Sequence, residues 1–313
     1  MTTPRSNATD RASAQPVFPG AATRRDPLTA RIRLGARLRA WRRAAGLSPA
    51  VAGGIIGASA DAIERIENDH GPVAESHVAA LLTSYAVTDP GDVAQVWDLV
   101  RRANRPRWWQ PDADLVPIWF ECFLDLEQAC SSIRGYECQW VPGLLQTRDY
   151  IRALISIEHT EHTAIQRRVT LRLRRQALLT APDPPTLWAV IDEAALRRPL
   201  GGPQVQRAQL THLIEQTDHP NITLQIAAFA RGGHPAAGGS FTLLTHPDDP
   251  GPTPTTSAAA PDGTAYVEHL TGASYLDTPA DVRHYTAVMD RLTAQLDPPE
   301  ATAGILAAIR ARL

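Results

Sequence analysis

Between Ser48 and Arg65 the chain places two hydroxyls, two carboxylates and a guanidinium, groups that can cap helices or hydrogen-bond a polar partner. Ser48 and Ser59 each stand one residue before a short helical segment, where a hydroxyl caps free backbone N–H groups. Ser59 is followed by Ala60, Asp61, Ala62, Glu64 and Arg65, the places from which a recognition helix reads the major groove. Arg42 and Arg43 precede this run and suit phosphate contacts. Asp61 and Glu64 work against such binding. A carboxylate accepts from cytosine N4 but is repelled by the phosphates that dominate affinity. Between Arg31 and His70 seven arginines face four acids, a local balance of +3 that favours DNA. The bland alternative is a solvated first-helix face with Arg37 paired to Glu67.

Other chemistry-bearing residues are sparser. Cys122, Cys130 and Cys138 are evenly spaced by eight, but no zinc pattern uses that interval and no His stands at ligand spacing, so no metal is expected. Walker, G-x-S-x-G, H-E-x-x-H and dinucleotide motifs do not occur, so neither catalytic residues nor cofactors are assigned. His234, His246 and His269 fall near strand ends and are expected at the surface. Asp192 and Glu193 close a strand, where an N-cap and a first-turn acid are the plain account. The glycine-rich run 231–240 has no helix start behind it and is expected to be a mobile hairpin loop.

The elements that position these residues can be read from periodicity. Leu34, Leu38 and Trp41 recur at i, i+4 and i+7, Gly46 suits a left-handed stop, and a glycine-containing turn separates the next two helices. That is the helix-turn-helix arrangement. Gly53 and Gly54 within its second helix each cost roughly 0.5–1 kcal/mol against Ala. Further helices over 73–87 and 93–103 complete a five-helix domain, 28–104, behind a disordered tail, 1–27. A linker, 105–116, carries Trp108 and Trp109, which are expected to pack the two domains together. Leu34, Arg37, Leu38, Arg42, Gly46, Leu47, Ser48, Gly57, Ser59, Ile63, Arg65 and Glu67 resemble the Cro/C1-type, XRE-like family. The resemblance implies duplex DNA as partner, and a homodimer is expected.

From 117 to 313 an α+β domain with a small mixed or antiparallel sheet is expected. Helices are read over 118–129, 162–179, 203–217, 281–295 and 299–313. Strands are read over 132–139, 186–192, 222–228, 241–245 and 266–270, with an inserted flexible loop between the last two. Tyr136, Glu137, the run Val141-Pro142-Gly143-Leu144-Leu145-Gln146-Thr147, Asp149-Tyr150, Arg172, Arg175, Gln176 and Asp192-Glu193 resemble DUF5753. That is an actinobacterial domain described with Scr1-family antitoxin-like regulators. The resemblance implies a small partner protein. Tyr136, Trp140, Gln146, Tyr150, Trp188, Phe241, Glu268 and Tyr275 are expected to line an aromatic pocket for a small organic ligand, with Trp140, Tyr150 and Trp188 as walls.

The chain has 313 residues, a formal charge of −2 and arginine as its only strong base, so DNA contact must come from a local patch. No signal peptide or membrane-length apolar run is read, and a cytoplasmic place is expected. The expected function is a DNA-binding transcriptional regulator with a ligand- or partner-sensing C-terminal domain. The alternative keeps the helix-turn-helix as a scaffold without DNA reading, in an antitoxin-like interaction module or a recruited biosynthetic enzyme.

Overall fold

The computed structural model describes residues 21–67, 73–246 and 263–313. Its N-terminal part is helical: α1 (Ala21–Ala44), α2 (Pro49–Ile55), α3 (Ala60–Glu67), α4 (Glu75–Ser84) and α5 (Pro90–Ala103). The boundaries have local causes. Ser48 Oγ accepts from the Val51 N–H at 3.3 Å and Ser59 Oγ from the Ala62 N–H at 3.2 Å. Gly46 ends α1 in the left-handed conformation, at φ +68°. Gly53 serves differently. A Cβ there would lie 2.6 Å from the Ala58 carbonyl oxygen, so only glycine lets α2 come this close to the turn before α3. Leu34, Leu38, Ala52, Ile63, Val78, Leu81 and Val96 close the core of these helices.

The tail expected over 1–27 is corrected in its last part. Residues 21–27 already belong to α1, since the Ala-Ala-Thr-Arg-Arg start is helix-forming and Pro27 removes one N–H without ending the helix. Residues 1–20 and the bulk of the expected inserted loop, 247–262, lie outside the described residues.

The α+β part begins with α6 (Ile118–Ala129), β1 (Ser132–Glu137), α7 (Arg148–Ile155) and α8 (His162–Gln176). It continues through β2 (Thr186–Asp192), α9 (Glu193–Arg197), α10 (Pro203–Gln216), β3 (Ile222–Ala227) and β4 (Phe241–Thr245). It ends with β5 (Gly263–His269), β6 (Gly272–Leu276), α11 (Pro279–Gln295) and α12 (Thr302–Arg310). The six strands form one mixed sheet in the order β3-β2-β1-β4-β5-β6. β1, β2 and β3 run parallel, while β4, β5 and β6 continue antiparallel from the β1 edge.

β6 is an addition to the expected strands. Gly272, Ala273 and Ser274 are weak strand formers, and pairing with β5 overrides that preference. The run 231–240 is no hairpin loop, because β2 and β1 stand between β3 and β4. It crosses the carboxyl ends of both strands, with Ala236 buried on the way.

Alternation along β2 sorts the two faces. Leu187, Ala189 and Ile191 pack with Leu126, Leu210, Leu213 and Leu306, beneath α6, α10 and α12. Val190, Tyr136 and Phe241 pack against Val288, Met289 and Leu292 of α11. At the junction of the two parts Trp109 is buried with Val116 and Leu124. Its Nε1 donates to Asp125 Oδ1 at 3.3 Å, while Asp125 Oδ2 accepts from Arg31 of α1 at 2.7 Å. Among the described residues no helix is long and apolar enough to cross a membrane.

Candidate functional site

The DNA-facing candidates divide sharply by burial. Asp61, Glu64 and Arg65 on α3 are exposed, as are Arg43, Ser48 and Ser59, whereas Ala60 and Ala62 are half-buried. Arg42 is buried. It donates from Nε to Glu67 Oε1 at 2.6 Å, from Nη2 to Glu67 Oε2 at 2.8 Å and from Nη1 to the Leu47 carbonyl at 2.9 Å. The guanidinium therefore ties α1 to the end of α3 and to the turn before α2, which withdraws it from any phosphate. Glu67 is thus the partner of Arg42, and Arg37 instead meets Asp92 at 3.4 Å and Gln95 at 2.5 Å. Val51 and Ile55 of α2 add exposed apolar surface beside the acidic α3 face.

The eight residues expected to share one pocket lie on both sides of the sheet. Tyr136, Trp188 and Phe241 belong to the α11 face. There the Trp188 indole donates to Gln225 Oε1 at 2.9 Å and Arg134 stacks on it with Cζ 5.2 Å from the ring centre. Tyr150 is fully buried on the opposite face, where its hydroxyl accepts from the Val141 N–H at 3.2 Å. Trp140 stacks with Arg198 at 5.5 Å. The Tyr275 hydroxyl donates to the Trp119 carbonyl at 2.6 Å and accepts from the Phe123 N–H at 3.0 Å, so it stands between turns of α6. A pocket walled jointly by Trp140, Tyr150 and Trp188 is therefore not formed. The strand alternation that puts Leu187 and Ile191 against Tyr150 necessarily turns Trp188 away from it.

Gln146 and Glu268 do fall in one neighbourhood, with residues the pocket did not include. The neighbourhood lies on the face opposite α11, at the carboxyl end of β1. Here β1 has parallel β2 on one side and antiparallel β4 on the other. Glu137 ends β1, and desolvation pushes its carboxyl up to about 7, with the Glu268 charge adding to the effect and Ser240 and Arg175 opposing it. Tyr266 donates to Glu268 Oε2 at 3.0 Å, and burial raises that phenol well above its ordinary value.

From α8, Arg175 forms a two-pronged pair with Glu127, at 2.6 and 2.7 Å, over the rings of Phe120 and Phe123. Arg172 is different. Desolvation pushes its guanidinium down to about 10, with Arg175 beside it acting in the same direction. Among the described residues it donates only to Gln146 Oε1, at 3.0 Å, and makes no ion pair. Gln146 is held in turn by its bond to the Val141 carbonyl at 2.7 Å, and Gln176 clasps the Gly143 and Gln146 carbonyls at 3.0 and 2.7 Å. The 141–147 turn is thus a rigid wall that aims one amide at Arg172. Sequence reasoning missed Glu137, Arg172 and Ser240 as site residues. The available signal was the pair of arginines three apart, facing inward on α8.

On the α11 face at the same end of the sheet, Tyr136 donates to Asp192 Oδ2 at 3.0 Å and meets His234 Nε2 at 3.2 Å. Asp192 Oδ1 also caps α9, as expected, accepting from the Ala194 N–H at 2.8 Å. Among the described residues no three His, Cys, Asp or Glu side chains are grouped as metal ligands, and Cys122, Cys130 and Cys138 form no disulfide.

Residues 120–308 match the family model described as a domain of unknown function, DUF5753, and residues 33–96 match one described as a helix-turn-helix domain. No curated protein and no solved structure gives a significant match.

Proposed function

From the premise that the chain belongs to the DUF5753 family and carries a helix-turn-helix domain ahead of that region, we propose a DNA-binding transcriptional regulator in the cytoplasm. Its units are 28–104 and 117–313, the second sensing a small molecule or a small partner protein. The observation that carries the DNA-binding part is the exposed α3, capped by Ser59 and set against α2 through Gly53, with Asp61, Glu64 and Arg65 turned outward. The sensing part rests on the charged groups gathered near the carboxyl end of β1, Glu137, Arg172, Arg175 and Glu268.

A homodimer would set two such helices into half-sites about one turn of DNA, roughly 34 Å, apart. The test is a titration of the full chain against the DNA upstream of its own gene at two salt concentrations. Saturable binding that weakens with salt supports the reading, and no preference for that DNA over random duplex at either concentration overturns it.

A second reading has its own observation. Asp61 and Glu64 leave α3 with more acid than base on its exposed side, next to Val51 and Ile55. Such a surface fits a protein partner better than a phosphate backbone. Recovery of a stable complex in which Val51→Asp abolishes assembly would favour it.

A further inference from the structure

Resting on the homodimer just proposed, we infer that the dimer forms along β6. Two copies pair this edge strand antiparallel about a two-fold axis at Ser274, so that one sheet runs through both.

The two edges of the sheet differ. At β3 the Thr302 hydroxyl of α12 donates to the Leu224 carbonyl at 2.6 Å, so the chain covers that edge itself. At the other edge β6 pairs only with β5 among the described residues. Charges, prolines and bulges are the usual protection of an edge that must stay single. The run Gly272-Ala273-Ser274-Tyr275-Leu276 has no charge and no proline, its register with β5 is unbroken, and all five residues are half-buried.

The hairpin sets which backbone groups are free to pair. His269 and Gly272 face each other across the two-residue turn Leu270-Thr271, which closes on a hydrogen-bonded pair. Bonding then alternates along the strand. Gly272, Ser274 and Leu276 turn their N–H and C=O groups to β5, and Ala273 and Tyr275 turn theirs outward. With the axis at Ser274, Ala273 stands opposite the partner's Tyr275, and the two exchange both N–H···O bonds.

Side-chain size fits the same register. On the α6 face Ala273 meets the partner's Tyr275, and on the other face Gly272 meets the partner's Leu276. Small residues fill one half of β6 and large ones the other, so the strand is its own complement when reversed. An axis at Ala273 or at Tyr275 keeps the bonding phase but loses that match. Uncovered apolar side chains flank the strand. Leu270 at the turn is fully exposed, and this pairing brings it to the partner's Thr278, where α11 begins. Ile118 is 87% exposed, one residue before the Trp119 carbonyl that the Tyr275 hydroxyl holds. Because β3 is covered, the contact closes at two copies and does not propagate.

The experiment measures the mass of the full chain in solution by sedimentation equilibrium, with circular dichroism as the check on folding. The wild type should be a dimer. Gly272→Lys should stay folded, since a Cβ there meets nothing within 4 Å, and should weaken the dimer tenfold or more by setting a charge against the partner's Leu276. Ala273→Pro removes an outward N–H and no bond to β5, and should do the same. Ser274→Cys brings a thiol opposite its own copy, at a Cα separation of about 4.5 Å that a disulfide spans. Diamide should convert that variant, and not the wild type, to a covalent dimer.

A monomeric wild type, a dimer unchanged in folded Gly272→Lys and Ala273→Pro, or no cross-link in Ser274→Cys overturns the inference. DNA binding is judged separately. A β6-dependent dimer with no preference for its own upstream DNA keeps the interface and removes the regulator. Specific DNA binding by a dimer that both substitutions leave intact keeps the regulator and removes β6 as its interface.

Discussion

Glu137 and the α3 carboxylates illustrate how single charged groups set behaviour in this chain. The Glu137 carboxyl is pushed up to about 7 by desolvation, so the folded state holds its proton more tightly than the unfolded chain does. Its stabilising contribution is complete below the unfolded value near 4.5 and is lost as pH rises through about 7. The expected loss is up to about 3 kcal/mol across that window, at about 1.4 kcal/mol for each pH unit. Melting temperatures of wild type and Glu137→Gln at pH 5 and pH 8 check this. The wild type should drop more on going to pH 8, and parallel curves would refute the desolvated carboxyl.

On α3, Asp61→Ser with Glu64→Ser should tighten binding to random duplex several-fold at low salt and leave the fold unchanged, since both side chains are exposed. A filter or anisotropy titration measures it, and unchanged affinity would mean α3 does not approach the phosphates. These acids were legible from the chain because they sit within a few residues of a recognisable cap. Glu137 and Arg172 were not, and Glu268 was read only as part of an aromatic pocket. They stand far apart in sequence: Glu137 and Glu268 come to one sheet through the pairing of β1 with β4 and of β4 with β5, and Arg172 reaches them from α8.

At the scale of elements, the close approach of α2 to the turn before α3 separates two adjacent glycines. Gly53→Ala would drive a methyl to within 2.6 Å of backbone oxygen and should destabilise the domain by about 1–3 kcal/mol. Gly54→Ala meets open space and should stabilise it by about 0.5–1 kcal/mol. Chemical denaturation of the two variants gives opposite signs if the contact is real. Both glycines look alike as helix-weakening residues in the sequence, because the carbonyl that tells them apart comes from the following turn.

Trp188→Ala should cost about 3 kcal/mol, read by the same measurement, because the indole is packed with the α11 face and bonded to Gln225. The alternation of β2 was legible from Leu187, Ala189 and Ile191. The side of the sheet on which Tyr150 lies was not, since α7 returns through a clasped turn whose direction Pro142 and Gly143 set only locally. β6 escaped notice for a related reason. Its glycine, alanine and serine carry little strand preference, and the strand exists because β5 offers an edge.

For the whole molecule, Asp125 is the residue on which the two parts meet. It accepts from Arg31 of α1 and from Trp109, and Arg107 lies 3.2 Å away. Asp125→Ala would leave two guanidinium groups and an indole N–H without this carboxylate, and should cost about 3–5 kcal/mol. Scanning calorimetry should then resolve two transitions where the wild type shows one. A single unchanged transition would mean the junction carries no coupling. The tryptophan pair announced a packed junction in the sequence, but its acceptor lies on α6 and its second donor on α1.

That placement gives α1 a mechanical role. One rigid rod is pinned to the sheet-bearing part at Arg31 and ends, at Ala44, beside the turn that leads into α2. The stretch between is about 20 Å at 1.5 Å per residue. A tilt of about 5° at the pin would therefore swing its far tip by about 2 Å, more than half a hydrogen bond's length. Any event in the sheet-bearing part that tilts α1 at Arg31 by that much displaces the turn before α2 by the same distance.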